Sequence, residues 1–111
     1  MKRPPKVHDR ARTVRMARMF QLLGDPTRLS LVLGCLEEPR SVSDLAERAG
    51  LSLPLASHHL RLLRTAGLVE ADRNGRQVFY RPADEHIRHM LTDITDHADH
   101  CLYPTTRRRT P

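Results

Sequence analysis

The feature that most constrains this chain is a pair of short helical runs joined at Gly50-Leu51-Ser52 and followed directly by a hairpin signal at Asn74-Gly75. Ser41 or Ser43 can cap a short helix containing Leu45, Ala46 and Ala49, and the next helix runs from about Leu53 to Ala66, with Pro54 tolerated in its first turn. Two short helices joined by about three residues around a glycine form a helix-turn-helix. After Gly67, the runs Leu68–Arg73 and Gln77–Arg81 read as strands. Asn-Gly between them is the strongest short hairpin signal, because both residues tolerate positive φ. A helix-turn-helix followed by a basic hairpin is a winged helix. The expected fold class is therefore mainly α with a small β-hairpin.

The flanking segments extend this plan. A first helix is expected from about Asp9 to Leu23, with Met16, Phe20 and Leu23 on one stripe and Gly24 stopping it. Asp25-Pro26 supplies an N-cap and a first-turn proline for a second helix, whose Leu29, Val32, Leu33 and Leu36 are expected to face inward before Pro39. A last helix covers about 84–102, with Ile87, Met90, Leu91, Ile94, Ala98 and Cys101 along one apolar stripe. A chain of 111 residues allows one domain with a modest core, which a dimer interface would enlarge. The domain is placed at 9–103, with the recognition helix at about 53–66, the wing at about 68–81 and a metal and dimer helix at about 84–102. Residues 1–8 are read as a flexible basic arm, and residues 104–111, with Arg107, Arg108 and Arg109, as a basic tail.

The net charge of +6 is divided along the chain. Residues 41–83 carry six arginines against four acids, whereas 84–103 carry five acids against Arg88 alone. A basic middle suits phosphate, and an acidic, histidine-rich helix suits a cation. In the recognition helix, Ala56, Leu60 and Leu63 repeat toward the core. Ser57, His58, Arg61 and Arg64 lie on the opposite side, where such a helix presents its side chains to a major groove. Arg73 and Arg76 flank the turn of the wing and are placed for backbone or minor-groove contact with double-stranded DNA. His59, pointing about 100° from His58, is expected to be a satisfied structural histidine.

The last helix carries a second stripe of His86, His89, Asp93, His97 and His100, with Asp84 near its N-terminus; Asp84, His86, His97 and His100 are all metal-ligand types. His86 and His97 stand roughly 16 Å apart along a straight helix, too far to share an ion held at about 2 Å. Two antiparallel copies solve this. A two-fold axis near residue 92 brings Asp84 and His86 of one chain to His97 and His100 of the other, giving a homodimer with two equivalent sites. Three imidazoles and a carboxylate form a closed four-coordinate set, which suits Zn(II). Ni(II) or Co(II) would take two further ligands, for which His8, His89 and Cys101 are available.

Catalysis finds no support, since H-E-x-x-H, a glycine-rich phosphate loop and a nucleophile elbow are all missing from the sequence. Two cysteines are too few for a disulfide framework, no apolar run approaches bilayer length, and the first residues lack a secretory h-region, so the expected location is cytoplasmic, without membrane partners. Cys35 reads as a buried small hydrophobe, and Cys101 as packing at the helix end when it is not a ligand. A rival reading keeps the DNA-binding half but makes the histidines structural, with a different inducer or protons as the signal.

The chain resembles the ArsR/SmtB family of metal-responsive transcriptional repressors over about residues 12–102, through FQLLGDPTRLSLVLGCL, SVSDLAERAGLSLPLASHHLRLLRTAGLVEADRNGRQVFYRP and DEHIRHMLTDITDHADH. The resemblance implies a symmetric dimer paired through its first and last helices, bound to an operator when metal-free and released when metal binds. Asp84, His86, His97 and His100 match the last-helix sensor pattern D-x-H, ten residues, H-x-x-[HE]. Ser41-Val42-Ser43-Asp44 stands where soft-metal sensors of the family carry Cys-x-Cys, which argues against thiolate sensing there. The expected link between site and output is a ring N–H of His97 donated to a carbonyl near Gly67.

Overall fold

The structure, a computed structural model, describes residues 9–102. Residues 1–8, with His8, and 103–111, with the arginine run, lie outside the described residues. Among the described residues, five helices and three strands follow in the order α1 Arg10–Leu23, α2 Pro26–Gly34, β1 Arg40–Ser41, α3 Val42–Ala49, α4 Leu53–Thr65, β2 Val69–Asn74, β3 Gln77–Pro82 and α5 Glu85–Leu102. This is the expected winged helix-turn-helix.

Each helix start is written locally. Side-chain oxygens of Asp9, Asp25, Ser41 and Ser52 accept from the backbone N–H three residues on, satisfying donors that the first turn leaves open. Of the two candidate caps for α3, Ser41 is the one used, accepting from Asp44 N–H at 3.1 Å. Gly50 ends α3 at φ 69°, a left-handed conformation that favours glycine, and so sets the angle between the two helices of the motif.

Three local expectations are corrected. Leu33 is exposed, and Leu31 takes its place in the core beside Val32 and Cys35; both sets have helical spacing, and the neighbouring α3 and α4 decide which one is covered. The wing turns on Gly75-Arg76, because Asn74 already pairs with Gln77 across β2 and β3. Only Gly75 there has positive φ, so this is a glycine-first two-residue loop with Asn74 in the strand. The wing also gains a third strand, since Arg40 and Ser41 pair antiparallel with Tyr80 and Phe79, giving the sheet order β1-β3-β2.

The core gathers Leu31, Val32, Leu45, Leu60, Leu63 and Leu68, each no more than 1% exposed. Leu91, at 3%, is the one α5 residue among the buried core residues of the described chain. No helix among the described residues is long and apolar enough to cross a membrane.

Candidate functional site

On α4 the division between core and surface is sharp. Ala56, Leu60 and Leu63 are each 0% exposed. His58, Arg61 and Arg64 project outward on the other side, with Ser57 half-buried at its edge. Arg61 and Arg64 have no hydrogen bond or ion pair among the described residues, in contrast to the arginines that brace the scaffold. Arg40 Nε donates to Gly34 O at 2.8 Å while its Nη1 meets Asp44 Oδ2 at 3.1 Å. Arg28 Nε donates to Leu22 O at 2.8 Å, Arg81 pairs with Asp72 at 3.0 Å, and Arg88 donates to Leu36 O, tying α5 to the segment after α2. Guanidinia held in this way stiffen the protomer, and those left unpaired are available to a polyanion. The turn of the wing carries Arg76 to the same groove as Ser57, Ser43 and Gln77. Arg73 stays on β2 and, among the described residues, reaches only Gly75 O, at 3.5 Å.

His59 departs from expectation. Its Nδ1 is buried and has no hydrogen-bond partner among the described residues, so it is not a satisfied core histidine there. Its ring instead lies tilted against His58, with centroids 5.8 Å apart.

The donor row on α5 is exposed along its length. Asp84 Oδ1 accepts from Ile87 N–H at 2.9 Å, so this carboxylate caps α5 with one oxygen and keeps the other. His100 Nδ1 donates to Asp96 O at 2.8 Å, which orients the ring and leaves Nε2 outward. A ligating imidazole usually shows this arrangement, its second nitrogen held by a carbonyl. His97 Nε2 lies 3.2 Å from Cys101 Sγ, and His89 Nε2 lies 3.6 Å from Glu85. Cys101 is exposed rather than packed within its own protomer. Gly67, at φ 80°, turns the chain from α4 into β2. Within one protomer, no three His, Cys, Asp or Glu side chains among the described residues gather closely enough to hold a metal.

Cys35 is a different kind of thiol. It is 0% exposed, its Sγ donates to Val32 O at 3.4 Å, and burial pushes its pKa up to about 11. Its own backbone hydrogen bond and the nearby charges of Arg88 and Arg40 pull weakly the other way. It is the buried small hydrophobe that the sequence suggests.

The fold and the α4 surface define a winged helix-turn-helix protein of the DNA-binding type. Residues 25–71 match the family described as "Bacterial regulatory protein, arsR family". The chain is 36% identical over 98 residues to the transcriptional regulator NmtR of Mycobacterium tuberculosis, covering 88% of this chain and 82% of NmtR. It is 39% identical over 80 residues to the transcriptional repressor SmtB of the same species, covering 72% of this chain but only 59% of SmtB. The homodimeric winged helix-turn-helix DNA-binding domain Mb0332 of Mycobacterium bovis superposes with a TM-score of 0.81 at 28% identity, over 92% of this chain and 94% of that one. This chain belongs to the ArsR/SmtB family.

Proposed function

We propose that this protein is a metal-sensing transcriptional repressor: a metal-free homodimer binds operator DNA through α4 and the wing, and Zn(II) at an intersubunit site lowers that affinity and derepresses genes of metal efflux or homeostasis. The observation that carries the reading is that α5 runs unbroken from Glu85 to Leu102, so His86 and His97 of one protomer cannot reach a common ion. Asp84 and His86 of one protomer with His97 and His100 of its partner would hold the metal. Exposed apolar side chains on the two helices expected to pair, Met16 at 48% and Phe20 at 57% on α1 and Ile94 at 56% on α5, support the dimer. Their burial on association would contribute roughly 25 cal/mol for each Å² covered.

The chain's own residues do the rest of the work. Asp84 fixes the first turn of α5 while presenting its second oxygen, and the His100 ring is already oriented by Asp96. Asp84 and His86 of one protomer with His97 and His100 of its partner would complete a four-ligand set and so tie the two α5 helices together, a set that would leave no position for a substrate. His97 would link the site to Gly67, where α4 ends, by exchanging its present Cys101 neighbour for a carbonyl of that turn. Changing the dimer geometry changes the separation of the two recognition helices, which must match successive major grooves about 34 Å apart.

A second reading, a Ni(II) or Co(II) sensor of the same type, is favoured by one contact. The Cys101 thiol already lies beside His97, and His89 shares the exposed stripe, so further donors adjoin the set. His8 would be the remaining addition. Operator affinity measured with Zn(II), Ni(II) and Co(II), alongside absorption spectra of the Co(II) complex, tests both readings. Intense tetrahedral d–d bands with Zn(II) the strongest effector support the four-ligand site, and weak octahedral bands support the larger one. If operator affinity is unchanged by all three ions, the sensing function is wrong while DNA binding stands.

A further inference from the structure

The arginines of α1 are not explained by the dimer or by the recognition helix. Arg15 and Arg18 have no partner among the described residues. Together with Val14, Met19, Thr65 and Ala66 they line a groove between α1 and the end of α4. No acidic residue lines it.

We propose that Arg15 and Arg18, at the C-terminal end of α4, form a second phosphate-binding strip that carries the DNA interface beyond the recognition helix onto α1. Three features place duplex backbone there. Thr65 follows Arg61 by four residues, one helical turn, so the groove opens at the edge of the DNA-reading face. The helix α1 is two-sided: Met16 and Phe20 turn toward Leu68, Ile87 and Met90, in the apolar groove beside α5, whereas Arg18 points about 160° away from Phe20 around the helix. The arginines therefore face away from the surface that would meet a second protomer. The C-terminal end of α4 is the negative pole of its helix and has no attraction of its own for an anion. The positive charge in the groove comes from the two guanidinia, whose forked donors match phosphate oxygens. Such contacts set affinity and orientation without reading bases.

The inference rests on the DNA-binding half of the proposed function, and the test separates the two. The probe is a fluorescent duplex of arbitrary sequence, roughly 30 base pairs long to span two half-sites, titrated with the metal-free full chain at several NaCl concentrations. Each phosphate that is no longer neutralised lowers the slope of log affinity against log salt by about 0.9, so Arg15→Gln with Arg18→Gln in a dimer lowers it by about 3.6. Arg15→Lys with Arg18→Lys, which keeps the charge, retains most of the slope. In the unmodified chain, the duplex protects both arginines from phenylglyoxal. An unchanged slope in the folded, dimeric glutamine variant overturns the strip and leaves DNA binding intact. Conversion of that variant to monomer assigns the arginines to the protomer interface and overturns it as well. If the unmodified chain binds no duplex, the DNA-binding reading fails and the strip fails with it.

Discussion

In α4 the apolar face is finished within one protomer, with Ala56, Leu60 and Leu63 all at 0% exposure, whereas in α5 Leu91 reaches 3% and Ile94 remains 56% exposed. Both helices carry polar residues on the opposite side, so amphipathicity alone does not separate them. The difference lies in what completes each apolar face. A helix packed on its own core holds Arg61 and Arg64 at a set angle to the rest of the domain. A helix that buries Leu91 alone, with Ile87 and Met90 half-buried beside it and Arg88 as a tether, leaves its outer stripe to a partner. Under the proposed function, the first is a fixed reading head and the second is the element that a signal can re-seat.

The sharpest way to break the comparison is to empty one position in each helix. Leu60→Ala should cost about 2–5 kcal/mol of folding stability through reduced burial and a cavity, read as a large drop in the urea midpoint. Ile94→Ala should change the stability of the protomer by well under 1 kcal/mol, as exposed positions do, but should raise the concentration at which the dimer dissociates in sedimentation. Equal destabilisation by both would mean that α5 is already part of the protomer's core.

Next in size is the separation of reading from response. Arg61→Ala with Arg64→Ala should lower the salt slope of operator binding by up to about 0.9 for each phosphate left without its guanidinium, with metal binding unaffected. His97→Ala should bind operator as the unmodified chain does yet show no metal response, erasing a coupling of order 1–3 kcal/mol. Because linkage is reciprocal, operator should weaken metal affinity by the same factor in the unmodified chain, and a calorimetric titration in the presence of duplex measures it directly. Metal affinity that is indifferent to DNA would refute this account of allostery.

The smallest effect concerns the two thiols, one in the core and one on α5. Exposed Cys101 should react with an alkylating reagent at neutral pH, and Cys35 only after unfolding. With its pKa held near 11 in the folded state against an ordinary value of 9.0, Cys35 stays protonated while the unfolded chain ionises. The native state then binds more protons, so stability falls as pH rises from about 9 to about 11. Below about pH 9 this contribution is fully present. Cys35→Ala should remove that part of the alkaline loss, measurable as a flatter stability profile between those pH values.

Local chemistry made much of the fold legible. Asp25-Pro26, Ser41 and Ser52 start helices, and Gly50 ends one, because each acts through atoms within a few residues. The core face of α4 could be read because Ser57, His58, Arg61 and Arg64 mark the opposite side as polar. The choice between Leu31 and Leu33 in α2 could not, since both stripes are apolar and α3 and α4 select one. The strand β1 was equally hidden: two residues carry no period, and Arg40 meets Tyr80 only after the chain has folded back. The turn of the wing moved by one residue because cross-strand register outweighs the Asn-Gly preference.

By itself, the sequence determined the winged helix-turn-helix, the residue types on the exposed side of α4 that the proposed function turns to DNA, and a donor spacing that one straight helix cannot satisfy. These depend on periods, caps and the rise of a helix, which are local quantities. Tertiary structure decided which arginines are spent on carbonyls and carboxylates and which have no such partner among the described residues. It also decided that Asp84 both caps α5 and keeps a free oxygen, and that Arg15 and Arg18 adjoin the end of α4. Those outcomes depend on distances between segments far apart in the chain, and only packing fixes them.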